Sequence, residues 1–487
     1  SSLPVQPAFV SYSIEWANFP DYAGNKSTPN LFSETLLNNI AAQQGVKPVI
    51  RVGGETQDYA LLDGYLKTAL NNSMSIPTSA DGTLEYGGVF FESYATFTNT
   101  KYIHGFNLAK SNDGFRRNLE AGSILACNGL KNGRLLYWEL GNEPDMYKKT
   151  QVATGPNQGH LRPTSYSENT YATEWSNITA DLRSQIEITC PEMITDQAFQ
   201  FTAPSFAGTS NGMDPWTAWT DLQKATPVAK QFSSHFYAAT PDSPNLKSFL
   251  SNHTFTTTSL APQIALARKA AASHTPFALT ETNFLARQGQ TNLSDTFAAA
   301  LWTLDASLYA AANNISRVHT HMGTDFPASS WQPINTKVAR VGARPAYYAN
   351  VAAAAMVGKG NDTTVVHLAT GNERLAAYAA YEAGLLKRVM LLNMAPHASS
   401  ANTRTNATVF FAGPLQCQGP AALSRLQAKG SDALADVSWN GYAFDGGRYG
   451  GQARRVVDVP SNEQVRVGQF GSFGIDVPDS EAVLVSL

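Results

Sequence analysis

Up to about residue 345 the chain alternates short apolar segments with longer helix-compatible ones, through eight rounds. The pattern predicts strands at Ala8–Ile14, Pro48–Val52, Ile103–Leu108, Leu135–Leu140, Phe199–Ala203, Gln231–Tyr237, Pro276–Thr280 and Ser316–Thr320. Between them, Ser33–Gln44, Gly114–Asn128, Tyr171–Glu187, Ala261–Ala272 and Leu293–Asn313 carry helical periodicity or Ala-rich composition. Such alternation favours parallel strands joined by right-handed helical crossovers, and eight of these units close into a barrel. A doubly wound sheet would need a glycine-rich fingerprint after a strand. Arg51-Val52-Gly53-Gly54 lacks that spacing.

After about Asn350 the pattern changes to short strands separated by Gly, Pro, Asn and Asp, at Thr363–Ala369, Arg374–Tyr381, Leu386–Leu392, Ala407–Ala412, Ala422–Gln427, Arg455–Val459, Gln464–Val467 and Ala482–Leu487. This predicts a β-sandwich. The expected architecture is therefore a (β/α)8 TIM barrel over residues 1–345, the first few of which could join the β-domain, followed by a β-sandwich over 346–487 that covers the barrel. The run Gly446-Gly447-Arg448-Tyr449-Gly450-Gly451 has no following Lys-Ser/Thr and reads as a hairpin loop.

At 487 residues and 43% hydrophobic, the chain can bury a large core. Its net charge of -3 supplies no field for nucleic acid or an anionic membrane, and no apolar run is long enough to cross a bilayer. Charged residues make up 15%, so the surface must be polar but largely neutral. Eight Asn-x-Ser/Thr sequons, at Asn25, Asn71, Asn177, Asn252, Asn292, Asn314, Asn361 and Asn406, point to a secreted glycoprotein. The opening Ser1-Ser2-Leu3-Pro4 shows no charged, hydrophobic leader and is expected to belong to a mature, soluble product. Cys127, Cys190 and Cys417 allow at most one internal bridge, and buried free thiols are an equal alternative.

Chemistry is concentrated where strands end. In Leu135-Leu136-Tyr137-Trp138-Glu139-Leu140-Gly141-Asn142-Glu143-Pro144 the proline stops the ladder and leaves Glu143 at a strand mouth. A second carboxyl stands in Phe277-Ala278-Leu279-Thr280-Glu281-Thr282-Asn283, at the end of the seventh expected strand. Glutamates on strands four and seven face each other across a barrel mouth. Glycosidic bond cleavage needs such a pair, one carboxyl protonated and the other ionised. His319 and His321 share a strand face as His-x-His, but no third ligand accompanies them, and neither metal nor cofactor is expected.

Trp138-Glu139-Leu140-Gly141-Asn142-Glu143-Pro144 resembles the acid/base signature of barrel glycosidases whose catalytic glutamates follow strands four and seven, and more narrowly that of glycoside hydrolase family 79. The likeness extends to Arg51-Val52-Gly53-Gly54-Glu55-Thr56-Gln57-Asp58, Glu281-Thr282, Leu293-Ser294-Asp295-Thr296-Phe297 and Arg344-Pro345-Ala346-Tyr347-Tyr348. It implies that Glu143 is the general acid/base and Glu281 the nucleophile of a retaining, exo-acting β-glycosidase. It further implies that Asn142 holds the sugar 2-hydroxyl, that Glu15 and Asp58 grip outer hydroxyls, and that Tyr237 bonds the nucleophile. His235, two residues before Tyr237, could support either glutamate. The implied substrate is a terminal β-D-glucuronic acid or its 4-O-methyl form, released by a monomeric enzyme.

In that family a tyrosine and glycine amides after the nucleophile, with a second tyrosine after strand eight, meet the sugar carboxylate. Tyr347 is the nearest counterpart of the second. The loop Asn283-Phe284-Leu285-Ala286-Arg287-Gln288-Gly289-Gln290 departs from the pattern: alanine stands at the tyrosine position and only Gly289 persists from the glycines. Arg287 could compensate by meeting the carboxylate directly. A β-glucosidase or β-xylosidase on the same barrel is the alternative, and a non-catalytic carbohydrate-binding protein a more distant one. Cleavage of a long sulfated chain is not expected, because basic residues occur only as the pairs Arg116-Arg117, Lys148-Lys149 and Arg454-Arg455.

Overall fold

The computed structural model describes residues 2–71, 82–110, 113–150, 160–412, 419–446 and 450–487. The expected loop of Gly446–Gly451 therefore lies partly outside the described residues, as does Cys417. Eight strands form the barrel: β1 (Val10–Glu15), β2 (Ile50–Gly53), β3 (Tyr102–Phe106), β4 (Leu135–Leu140), β5 (Phe201–Phe206), β6 (Ala229–Ala239), β7 (Phe277–Leu285) and β8 (Arg317–Met322). Each pairs in parallel with its sequence neighbours, and β1 pairs with β8 to close the ring. The expected eight strands are all present. Strand β7 runs further than expected, so Glu281 lies within it, paired across from His235 of β6.

Among the described residues the longer α-helices on the outside are α1 (Leu31–Gln44), α2 (Asp113–Leu130), α3 (Glu168–Thr189), α4 (Pro215–Ala225), α5 (His253–Ala272), α6 (Phe297–Ala312) and α7 (Pro345–Val357). Between β2 and β3 the described residues carry a 3-10 segment, Gly88–Ala95. Helix α5 begins well before the expected Ala261. Asn252 caps it by accepting from the Phe255 amide at 2.9 Å, and Pro262 is accommodated inside it. Helix α7 starts at the expected domain border and packs against α6 and α1. A disulfide joins Cys127 of α2 to Cys190 at the end of α3.

The C-terminal part is a β-sandwich. Its main sheet is built on β9 (Thr364–Leu368), β10 (Leu375–Glu382), β11 (Leu385–Asn393), β13 (Gly419–Gln427), β14 (Glu463–Val467) and β16 (Glu481–Ser486). The second layer pairs β12 (Asn406–Phe411) with β15 (Phe473–Pro478). Strand β15 was not anticipated, because Gly474, Asp476 and Pro478 interrupt its apolar positions. Of the expected Arg455–Val459 only Arg455 lies in a strand, the short Arg454–Arg455.

Alternation along the main sheet shows what each face does. Ala377, Val389, Leu391, Val483 and Val485 meet Ile475 and Val477 inside the sandwich. Tyr378, Ala380, Met390, Leu392 and Leu484 join the barrel's own core on the other face. With both faces covered, these strands read as nearly continuous apolar runs.

A polar clasp adds direction to this contact. The fully buried Asp305 of α6 accepts from the Tyr378 hydroxyl at 2.6 Å, and both its oxygens lie 3.0 Å from His253 Nδ1. His253 Nε2 in turn lies 2.9 Å from His367 Nε2 of β9. Asp305→Ala leaves two buried groups without their partner and should lower unfolding free energy by about 1–3 kcal/mol for each. Tyr378→Phe removes one bond and should cost about 1 kcal/mol. Urea unfolding checks the order, and equal losses would mean that the carboxylate is not the centre of the clasp.

Candidate active site

Residues facing inward from the barrel strands converge on Arg51. This arginine sits mid-way along an otherwise apolar strand, where period-two alternation turns its side chain into the lumen. It is fully buried, so it needs counter-charge. Its Nε donates to Glu139 Oε2 at 2.8 Å and its Nη1 to Glu281 Oε2 at 2.8 Å. Nη1 also reaches Ser13 Oγ at 2.9 Å, and Nη2 reaches Asn142 Oδ1 at 2.9 Å. One guanidinium thus ties together β1, β2, β7 and both ends of the Glu139–Asn142 segment. Neither Arg51 nor Glu139 was assigned a role from sequence. The available signal was a charged residue inside an apolar strand, which requires a buried partner.

Glu143 follows β4 in a left-handed conformation, with φ of +50°. For a glutamate this costs about 1 kcal/mol or more. The turn is held from outside: the Glu143 amide donates to Ser205 O at 3.1 Å, and Asp145 accepts from the Ala207 amide and Asn211 Nδ2, each at 2.9 Å. Its side chain keeps 26% of its exposure, so it can meet an incoming ligand. Glu143 Oε1 lies 2.7 Å from His235 Nδ1. Single side-chain atoms of Glu143, His235 and Glu281 all lie within 4.8 Å of one another. A metal ion could use that spacing, but it would stand beside the Arg51 cation already bonded to Glu281.

The two carboxyls are driven apart electrically. Burial and the like charge of Glu281 raise the pKa of Glu143 well above the usual carboxylate range. Burial would raise Glu281 as well, but His321, His235 and Arg51 outweigh it, and Tyr237 donates its hydroxyl to Glu281 Oε1. Glu281 is thereby held well below the usual range. Because burial pushes His235 down to about 4, the positive charge that Glu281 meets near neutrality belongs to Arg51 and His321. The pair accordingly presents one acid and one carboxylate.

Glu15, at the end of β1, accepts from the Thr56 amide at 2.8 Å and from the Thr56 hydroxyl. Gly54 makes room for it: with φ of +98°, a side chain there would begin 2.6 Å from Glu15 Oε2. Asp58 is buried beneath the mouth. Its oxygens accept from the Leu108 amide at 3.0 Å, the Asn142 amide at 3.2 Å and the Tyr147 hydroxyl at 2.6 Å. Burial raises it to about 6 despite these bonds. In this arrangement it braces Asn142 and Glu143.

Glu143, Glu281, Asn142, Tyr237 and Glu15 are therefore gathered around one mouth. Three other expected residues stand elsewhere. Tyr347 is fully buried on α7, donates to Leu36 O at 2.8 Å and packs edge-on against Trp331 and Phe444. It belongs to the helix layer, and its expected contact with a sugar is corrected. Arg287 is 71% exposed, with Asp242 3.8 Å away, and makes no ion pair with the gathered glutamates. Gly289 has φ of +83°, and a side chain there would meet Ser294 and Ala328 at 2.9 Å. Its observed role is close packing of the loops after β7 and β8.

Residues 377–484 match the glycosyl hydrolase family 79 C-terminal beta domain. A curated protein of Aspergillus niger named beta-glucuronidase is 39% identical, the alignment covering 100% of this chain and 92% of that protein. One of Neurospora crassa with the same name is 37% identical over 97% of this chain and 91% of its own. Among solved structures, a 4-O-alpha-L-rhamnosyl-beta-D-glucuronidase from Fusarium oxysporum superposes with a TM-score of 0.80 at 23% identity, covering 100% of this chain and 97% of that one. A family 51 alpha-L-arabinofuranosidase from Bifidobacterium longum reaches 0.61 at 12% identity, covering 99% and 96%. At such identities the two solved structures speak for the fold. By its full-length kinship with the two curated proteins and its matching β-domain, the chain belongs to glycosyl hydrolase family 79 and is a glycoside hydrolase.

Proposed function

We propose that this hydrolase is a retaining, exo-acting β-glucuronidase that removes terminal β-D-glucuronic acid, or its 4-O-methyl form, by double displacement. The observation that carries the mechanism is the separation of Glu143 and Glu281, with side-chain oxygens within 4.8 Å. Retaining pairs stand about 5–5.5 Å apart, whereas inverting pairs leave about 6.5–9.5 Å for a water. The sugar assignment draws support from the two relatives named beta-glucuronidase.

In the first step the ionised Glu281 attacks the anomeric carbon while Glu143 gives its proton to the departing glycosidic oxygen. A glycosyl ester on Glu281 results. Glu143, now a carboxylate, takes a proton from water, which attacks the same carbon and releases sugar with its configuration kept. Tyr237 and Arg51 would hold the Glu281 oxygens through both steps, and Asn142, fixed by Arg51, stands where the family's 2-hydroxyl contact is expected. Glu15 would serve an outer hydroxyl, and Asp58, its oxygens occupied beneath the mouth, would brace Asn142 instead.

A retaining β-glucosidase is the second reading. In its favour, Tyr347 is buried and Arg287 faces solvent, so the two side chains expected to meet a sugar carboxylate do not line the site. Extracellular residence and N-glycosylation also belong to the proposal, supported by the exposure of Asn177, Asn292, Asn361 and Asn406.

Glu281→Ala should abolish turnover. Glu143→Gln should slow aryl glycosides with poor leaving groups by at least about a hundredfold and those with good ones far less. The raised pKa of Glu143 keeps its proton to unusually high pH, so kcat/KM of the wild type should fall on the alkaline side as that proton is lost. That limb should vanish in Glu143→Gln, and its persistence would assign it to another group.

On matched aryl β-glycosides, kcat/KM should favour the glucuronide. A preference for the glucoside would overturn the sugar assignment and leave the mechanism standing. Treatment of the protein from a fungal secretion host with an N-glycan-cleaving enzyme should lower its mass. An unchanged mass would remove the glycoprotein claim.

A further inference from the structure

The site contains one more group poised between its carboxylates. His321, at the end of β8, is 3% exposed. Its Nε2 lies 3.3 Å from Glu15 Oε2, and its Nδ1 lies 3.0 Å from Ser13 Oγ and 3.6 Å from Glu281 Oε2. Both edges of the ring therefore face acceptors. Two residues earlier on the same face, His319 is also buried but only its Nδ1 is engaged, 3.2 Å from Tyr12 O. The His-x-His spacing thus places one ring in the barrel interior and the other in the mouth.

We propose that His321 is a positioning residue of the hydrolytic reaction: from the end of β8 it fastens the hydroxyl-binding carboxylate Glu15 and the nucleophile Glu281 to a single imidazole. This assignment rests on the catalytic reading of Glu281 given above, but not on which sugar is cleaved. As an imidazolium the ring donates from Nε2 to Glu15 and from Nδ1 to Ser13, whose oxygen also accepts from Arg51 at 2.9 Å. Of the two Glu281 oxygens, its charge then lies nearer Oε2, the one that Tyr237 does not bond. Glu15 has an independent anchor in Thr56, so loss of His321 loosens it without releasing it.

The surrounding charges are consistent with a protonated ring. From β1 it faces Glu15, from β2 Arg51, from the turn after β4 Glu143, from β6 His235 and from β7 Glu281. Burial disfavours charge on His321, but Glu281 and Glu15 outweigh both burial and Arg51, and its pKa is raised. His319 is pushed the other way, first by burial and then by Arg317 and Arg51.

The test is the pH profile of His321→Gln and His321→Phe, measured on whichever aryl β-glycoside the wild type cleaves best. Removing the cation makes Glu281 harder to ionise, so the acid limb of kcat/KM should move up by about half a pH unit or more in both variants. Glutamine, which can still bond Glu15, should keep KM nearer the wild-type value than phenylalanine does. An acid limb left in place in a folded variant would overturn the proposal, because a packing role lowers the rate without moving the limb. If neither variant folds, histidine-labelled NMR of the wild type and of Glu281→Gln decides. One ring should titrate above the ordinary value of about 6.5 and fall when Glu281 is neutralised; no such ring would overturn the assignment. Failure of the wild type on the glucuronide alone would count against the sugar reading and leave this one untouched.

Discussion

A fully buried arginine shared by two glutamates organises the mouth of this barrel. Arg51 has no water to satisfy it, so its position is acceptable only while Glu139 and Glu281 stay ionised and correctly placed. An ion pair of this kind contributes little net stability, but removing one partner is strongly unfavourable, by about 3–5 kcal/mol, because a naked charge is left behind. The barrel must therefore close with β2, β4 and β7 in one register. The same contacts orient the groups that carry out the reaction.

The division of labour between Glu143 and Glu281 follows from who touches the cation. Glu281 is bonded by Arg51 and Tyr237 and faces His321, so it remains a carboxylate. Glu143 bonds a histidine that burial keeps neutral, and it confronts the charge of Glu281. Two identical side chains a few ångströms apart are thereby made unlike, as an acid and a nucleophile must be. The asymmetry lies in the lumen below them more than in either glutamate.

Much of the fold was legible because strand and helix periods alternate plainly and Pro144 marks where a ladder must stop. Both candidate catalytic glutamates were legible for the same reason. What escaped was the support beneath them: Arg51 and Glu139 lie inside apolar strands, and only three-dimensional closure shows that each is the other's partner. Tyr347 was misplaced because its expected role came from a likeness with no register behind it. The structure instead puts it on α7, with its hydroxyl bonded to Leu36 O. Helix α5 starts earlier than the expected Ala261 because the Asn252 cap sets its start. Strand β15 was hidden by Gly474, Asp476 and Pro478, which alternate with its buried apolar residues.

Along β10, β11 and β16 the main sheet of the β-domain is covered on both faces. One side fills the sandwich and the other supplies apolar surface to the barrel's helices. Neither part is then a module in the sense of a piece that can be lifted out. Cutting the chain between them would expose the outer surface of α6 and α7 together with the Asp305 clasp, and a barrel expressed alone would present that surface to other chains. Grafting this catalytic mouth onto another scaffold would have to begin by replacing the helix faces that the sandwich now keeps dry.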